Sequence, residues 1–567
     1  MKYQFGHKIH PLKSLTSALL IFFMLYFIGC AATAPPPGGP KDTEGPKLIS
    51  SSPQNGSVNI SPTTEIEFTF SEAISPRSVA NSVVVRPALS SETSIDVSGN
   101  TVRINFQDSL QSQTTYIVSL GRSLKDYRDN PVQKNVQVAF STGDQIDQNK
   151  ITGKIYHVSK ENQIKVLAWN KKRFQNDSLK KIAPDYLTAV DSTYSFSLTN
   201  LSSGTYYLLA VSSSRNSFQK VSSQDKVALP NIFPIKVSRD STVQNISFYM
   251  TDDNLLRRFR VKRIETEGQY VKATFNQPIA QKNWSNVEMS IDDSIHAIYK
   301  WRDDKKPKQL KAYFDSLQAD TNLTCTINNL LNRRQEKILA PQNQKNFNFR
   351  PKKDTIKPAL QSAVPKNKSS KVKLNAPIYL NFTEPIRNID STDISFFNGA
   401  DSTTIDWRKE TIDANSIKIV PAKELEVDQN YFIKIHSQNW EDLLGNSFQD
   451  SIVTIKFNTV NKSNYGYLSG TIEGISNLNP TNIYLRANKI DGNYSSSIKL
   501  TETGNFKFND LFAGNYTLSL WYDKNGNGIF DTGSLFPPTS AEYYQSFPQT
   551  IKIRPRWEKS GIKLEIQ

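Results

Sequence analysis

The densest run of oxygen-bearing side chains lies near the C-terminus, in Asp523-Lys-Asn525-Gly-Asn527-Gly-Ile529-Phe-Asp531. Oxygen donors at positions 1, 3, 5 and 9, a glycine at 6 and the Ile529 carbonyl at 7 form the first part of a calcium loop. A hard cation needs six to eight oxygens converging on one point, and this spacing wraps them around it. The acid expected at position 12 is missing, since Ser534 stands there; Glu542 would have to fold back to replace it, which the spacing itself does not show. Ca2+ is thus the one cofactor the residues suggest. The competing reading is a Gly/Asn-rich hairpin loop whose Asp and Asn side chains cap their own backbone.

Other reactive residues are sparse. Glu72 and Glu384 follow an inward Phe at equal places in two repeats, which makes them acceptors for turn or strand-end hydrogen bonds. In separate domains they cannot form a glycosidase pair, which needs its carboxylates within about 10 Å. Cys325 sits in the alternating segment Leu323-Thr-Cys325-Thr-Ile327 and reads as a small core hydrophobe. As a nucleophile it would need a base, and His296 is the candidate. No GxSxG, HExxH, P-loop or dinucleotide fingerprint occurs, so a non-enzymatic protein is expected.

Two surfaces are candidates for a ligand. Residues 251–355 carry 20 Lys and Arg against 13 Asp and Glu, concentrating positive charge in one segment. Arg257, Arg258 and Arg260 open it, and Lys305, Lys306 and Lys308 follow Tyr299-Lys-Trp301. Such a face attracts anionic glycan or lipid phosphate, or else is simply a solvated surface. Around the calcium-type loop stand Trp521, Tyr522, Phe530 and Phe536, with Tyr543 and Tyr544 behind. Aromatic rings stack on sugars, and the alternative is that these rings pack the core and the loop.

The elements that must hold these residues follow from composition and repetition. A chain of 567 residues implies several domains, and 37% apolar content is enough for their cores. Rich Ser, Thr, Asn, Val, Ile, Tyr and Phe, with 28 Pro and 24 Gly dispersed, favour short strands. Two cysteines build no disulfide framework. At the N-terminus, Lys2, Lys8 and Lys13 precede an apolar run over 17–29 that stops at Cys30. The run is short for a membrane span and suits the core of a signal peptide. Phe27-Ile28-Gly29-Cys30 resembles the bacterial lipobox, which implies lipidation of Cys30 and a membrane partner; the alternative is an ordinary signal peptide or membrane anchor with an incidental cysteine. Ala31 after the cysteine implies the outer membrane, facing either the cell surface or the periplasm. Behind an export signal, nucleic acid is not an expected partner.

One repeat opens at Pro46 with SSPQNGS, continues through Phe68-Thr-Phe70-Ser-Glu72-Ala-Ile74 and closes at Phe140. It returns as Leu380-Asn-Phe382-Thr-Glu384-Pro-Ile386, closing at Phe457, and in worn form as Ala273-Thr-Phe275-Asn-Gln277-Pro-Ile279, closing at Phe349. Alternating apolar residues on short strands describe antiparallel sandwiches. A second repeat has the pattern F-x-[LF]-x-x-L-x-x-G-x-Y, in Phe196 to Tyr206 and in Phe506 to Tyr516. Its glycine is expected to take the positive φ of the turn, and its Tyr to return to the core. The first repeat resembles bacterial Ig-like domains of the S-layer (SbsA-like) type. The second resembles carboxypeptidase-regulatory or prealbumin-like sandwiches. With Gly38-Gly39-Pro40-Lys41-Asp42 after the cysteine, the chain is similar to a lipoprotein class of Bacteroidetes.

The expected fold is all-β, with tandem antiparallel β-sandwich domains in an elongated array. Residues 1–30 are a signal peptide and 31–45 a Pro/Gly-rich linker. The domains are Ig-like at 46–144, prealbumin-like at 149–250, degenerate and basic at 251–355, Ig-like at 356–460 and prealbumin-like at 464–567. The resemblance implies a lipid-anchored envelope protein that binds, adheres or acts as a scaffold, with envelope proteins or glycans as partners. The alternative is a carbohydrate-binding lipoprotein of a glycan-uptake or surface-layer system.

Overall fold

The computed structural model describes residues 42–566, apart from 81, 90–92, 122, 133–135, 159–162, 173–181, 214–219, 252–254, 281–285, 304, 475–478, 493 and 501–503. Cys30 and the rest of the signal segment lie outside the described residues. Among the described residues the regular structure is almost entirely strand, with one four-residue α-helix, Pro76–Val79, and three single 3-10 turns. It forms a tandem array of antiparallel sandwiches, elongated as the repeats imply.

The alternation read from the sequence sets which side of each strand is buried. In Ile66–Phe70 and in Ile378–Phe382 the first, third and fifth side chains are buried and those between are half-exposed. Because side chains alternate across a strand, this pattern fixes register against the core. In the first sandwich one sheet orders Leu48–Ser52, Ile66–Phe70, Thr101–Phe106 and Thr93–Ser98, and the other orders Val83–Arg86, Thr115–Leu120 and Val136–Ser141. The sandwich formed by residues 360–459 repeats the first sheet with Leu360–Val364, Ile378–Phe382, Ser416–Pro421 and Trp407–Asp413.

The basic segment keeps this sheet although its motif is worn. Val261–Glu267, Tyr270–Phe275, Gln309–Tyr313 and Tyr299–Trp301 follow the same order. All three copies break register at the same place, where Leu48 faces Phe70, Val261 faces Phe275 and Leu360 faces Phe382. A shared bulge marks a shared fold more firmly than the sequence motif does.

The other two sandwiches carry a strand of opposite sense. Thr242–Tyr249 runs parallel to Asn149–Tyr156, and Glu558–Glu565 runs parallel to Tyr465–Glu473. A Cβ on Gly153 would stand 1.9 Å from the Ile246 carbonyl oxygen, and one on Gly470 2.0 Å from that of Ile562. Only glycine admits the parallel neighbour there. Tyr206 and Tyr516 return to the core as expected, 1% and 0% exposed. Their hydroxyls donate to the carbonyls of Ser202 at 2.7 Å and Phe512 at 2.8 Å. The turn before them differs between copies. Gly514 has φ +150°, whereas in the second domain the left-handed residue is Asn200 (φ 56°) and not Gly204. An asparagine tolerates that conformation, so the motif glycine is not needed for it.

The array doubles back. Leu167, Trp169, Leu209 and Val211, on the outer face of the second sandwich, share one buried cluster with Leu255, Leu256, Leu535 and Ala541. Tyr544 of the last sandwich meets Tyr156 and Tyr249 of the second at ring-centroid distances of 5.4 and 4.7 Å. Ala541 N–H donates to the Pro230 carbonyl at 3.0 Å. The last domain is thus seated on the second.

Candidate functional site

The loop over 523–531 lies at this seam. Tyr522 ends the strand Gly514–Tyr522, and the next residue, Asp523, is 2% exposed. Its Oδ1 accepts the N–H groups of Gly526 (2.8 Å) and Asn527 (3.2 Å), and its Oδ2 that of Gly528 (2.8 Å). Gly526 and Gly528 have φ near +73° and +74°, a conformation that side chains disfavour. Asn525 and Asn527 each accept a backbone N–H two residues on, from Asn527 and Ile529. Both amide groups donate to Asp531 Oδ2, at 2.6 and 3.1 Å. These are the bonds of a self-capping hairpin loop.

Glu542 does fold back onto the loop. Its Oε1 accepts Lys524 N–H at 2.7 Å and its Oε2 accepts Asp531 N–H at 3.1 Å. Burial pushes the Glu542 carboxyl up to about 7 against those two bonds, and burial also raises Asp531. Asp531 Oδ1 is buried with no hydrogen-bond partner, while Ile529 is 50% exposed. The loop also grips the second domain. Lys524 Nζ donates to the Asn231 carbonyl at 2.9 Å, and the Phe530 ring lies 5.0 Å from Tyr249.

The aromatic residues are used in packing. Trp521 is 2% exposed, stacked 5.0 Å from Tyr484 with the Arg486 guanidinium 4.7 Å over its ring. Its ring is covered and offers a sugar no platform. Tyr522 is half-buried against the core of the last domain. Phe536 joins the seam cluster, and Arg258 lies 4.7 Å over its ring. Of the aromatic group that resembles a sugar-binding surface in sequence, Trp521 and Tyr522 therefore pack within the last domain, and Phe530, Phe536 and Tyr544 serve its contact with the other domains.

The basic residues Arg257, Arg258, Arg260, Lys305, Lys306 and Lys308 are exposed. Folding brings the two groups to one strand end. Asn276 N–H donates to the Arg260 carbonyl, and Phe275 N–H to the Lys308 carbonyl. Trp301, beside them in sequence, is fully buried. Cys325 is 0% exposed and burial drives its thiol far above the usual range, while His296 is exposed. The two do not form a nucleophile and base.

Two features escaped the sequence. One is a cleft of about 350 Å3 between the first two sandwiches, edged by Asp108, Gln111, Gln113, Lys172 and Asp185. Its walls are loops of different domains, which no local pattern joins. The other is the surroundings of Glu384, which accepts the Tyr270 hydroxyl of the preceding domain at 3.2 Å and not a turn N–H. The signal was present as a repeated spacing, since Asp42 and Asp354 each stand 30 residues before their Glu.

Residues 42–142 and 354–459 match the bacterial Ig-like domain family. Both matched segments begin at those aspartates. No curated protein matches the chain. Among solved structures, surface layer protein SbsC (domains 1–6) is similar at 10% identity, covering 89% of this chain and 67% of that one, with a TM-score of 0.16. The L,D-transpeptidase LdtMt1 is similar at 16% identity over 20% of this chain and 44% of that one, with a TM-score of 0.14. The chain thus spans less than half the length of that transpeptidase. Native E. coli alpha-2-macroglobulin follows at 9% identity, with 88% and 42% covered and a TM-score of 0.14. Similarity this low assigns no activity.

Proposed function

We propose that the protein is a non-enzymatic, lipid-anchored scaffold of the cell envelope, attached to the outer membrane through Cys30. The observation that supports it best is the seating of the last domain on the second and third, which braces a tandem array into one body. Bacterial Ig-like modules suit an envelope protein, and among the described residues no helix is long and apolar enough to cross a membrane. The modules resembling prealbumin-like domains complete the array, and the basic strand end around Arg260 and Lys308 offers envelope partners a charged contact. In the loop over 523–531, Ca2+ binds Asp523, Asn525, Asn527, the Ile529 carbonyl, Asp531 and Glu542 once the two amides turn their oxygens inward. Membrane fractionation tests the anchor. The natural chain sediments with outer membranes and Cys30→Ser moves to the soluble fraction; a variant that still sediments removes the lipid-anchor reading.

The second reading is carbohydrate binding, favoured by the polar cleft between the first two domains and no longer by Trp521. Glycan binding lost on Lys172→Ala and kept on Trp521→Phe supports it. The reverse pattern, or no binding to any glycan, counts against it.

A further inference from the structure

Three turns in the three Ig-like sheets are backbone equivalents whose side chains differ. Isolated bridges join Ile74 to Asp126, Ile279 to Asn332 and Ile386 to Asp442. In each turn the Asp or Asn Oδ1 accepts two backbone N–H groups, from Arg128 and Asn130, from Arg334 and Glu336, and from Leu444 and Asn446. The first of each pair is therefore Arg, Arg and Leu in turn.

The arginines supply a cation where they occur. Carboxylate oxygens of Asp42, Glu72 and Asp126 lie within 4.8 Å of one another, and Arg128 Nη1 is 2.8 Å from Asp42. In the third domain amides replace two acids. There Arg334 Nη2 donates to Gln277 at 2.9 Å and to Glu336 at 2.7 Å, with both charged side chains buried.

The fourth domain keeps the acids and loses the cation. Oxygens of Asp354, Glu384 and Asp442 lie within 4.8 Å of one another, in residues 7%, 3% and 0% exposed. Among the described residues no Lys, Arg or His nitrogen pairs with them; nearby Lys311 is held by Glu267 at 2.7 Å. Asp442 is satisfied by its turn, where Asn446 Nδ2 donates to Oδ2 at 2.9 Å. Glu384 takes the Tyr270 hydroxyl. Asp354 Oδ1 accepts Ile356 N–H at 3.0 Å, but its Oδ2 is buried with no hydrogen-bond partner. Three buried carboxylates this close are strongly unfavourable without a compensating positive charge.

We infer that Asp354, Glu384 and Asp442 bind a divalent cation of the calcium type. The donors are three hard carboxylate oxygens from separate segments of chain, the ligand type that calcium takes. Asp354 belongs to the segment joining the third and fourth domains, and Tyr270 to the third. The ion therefore ties that segment to the fourth domain, and the Tyr270 bond to Glu384 carries the tie across the joint.

Terbium, a luminescent calcium substitute, tests this on the full chain. Tyr270 touches Glu384 and Trp301 lies 4.9 Å from Tyr270, so bound terbium is excited through these rings. The expected result is saturable emission that calcium displaces, measured in the Asp523→Ala background so that the C-terminal loop contributes none, and weakened there about tenfold or more by Glu384→Gln. Asp354→Asn serves as the second variant, because its side chain lies outside the sheets and its loss spares the fold. Emission unchanged in both Glu384→Gln and Asp354→Asn overturns the site, as does calcium-displaceable emission that only Asp523→Ala removes. The outcome is independent of lipid anchoring and of calcium in the C-terminal loop.

Discussion

Glu267 shows how one side chain makes stability depend on pH. Burial alone would raise its carboxyl, but hydrogen bonds from Lys272 and Lys311 outweigh burial and bring it down to about 2. Glu265 shares Lys272 at 2.8 Å, so the group is a small network on one sheet face. A carboxyl held below its unfolded value stabilises the fold above that value, near 4.5, and the benefit is lost as pH falls toward 2. Thermal melting of the natural chain and of Glu267→Gln should therefore differ most at neutral pH and converge between about pH 4.5 and 2. A gap that persists at the acid end would contradict the assignment. Residues of this kind were only partly legible in the sequence. Tyr206 and Tyr516 announced themselves by a repeated motif, because they serve a local turn. Glu267, Asp354 and Trp521 did not, because their partners come from other strands or other domains.

At the scale of elements, the sheets were the most legible feature, since alternation and repeats directly reflect which side faces a core. The bulge shared by Leu48, Val261 and Leu360 explains why the third copy keeps its sheet after losing its motif. What the repeats did not reveal was the second buried side of one strand. Tyr206-Tyr-Leu-Leu-Ala-Val211 is apolar at successive positions, a pattern that belongs to strands covered on both faces. The loop over 523–531 is the element whose behaviour is easiest to test. Calcium should raise the melting temperature of the full chain by several degrees, by mass action on the folded state. Asp523→Ala should remove the part of that shift carried by the loop and leave the part that depends on Glu384. An Asp523→Ala chain that responds to calcium as fully as the natural one would reduce the loop to its self-capping turn.

For the whole molecule, an elongated array of sandwiches joined only by linkers would flex at every junction. This chain limits that freedom in two places. Tyr270 and Glu384 link the third and fourth domains, and the last domain returns to the second through Tyr544, Leu535 and Lys524. Charge follows the same plan, since the exposed Arg260 and Lys308 groups lie in the domain held between these contacts. The repeats suggested an order of domains, but the return of the last one depended on aromatic residues that also resemble a ligand platform. The most direct test of a braced scaffold is a cysteine pair across the seam, where Tyr544 N–H donates to Ser247 Oγ at 3.2 Å. In the full chain, Ser247→Cys with Tyr544→Cys should form an intramolecular disulfide under mild oxidation, without loss of folding. A folded chain whose two cysteines stay reduced would mean that the last domain does not sit on the second, and would contradict the account.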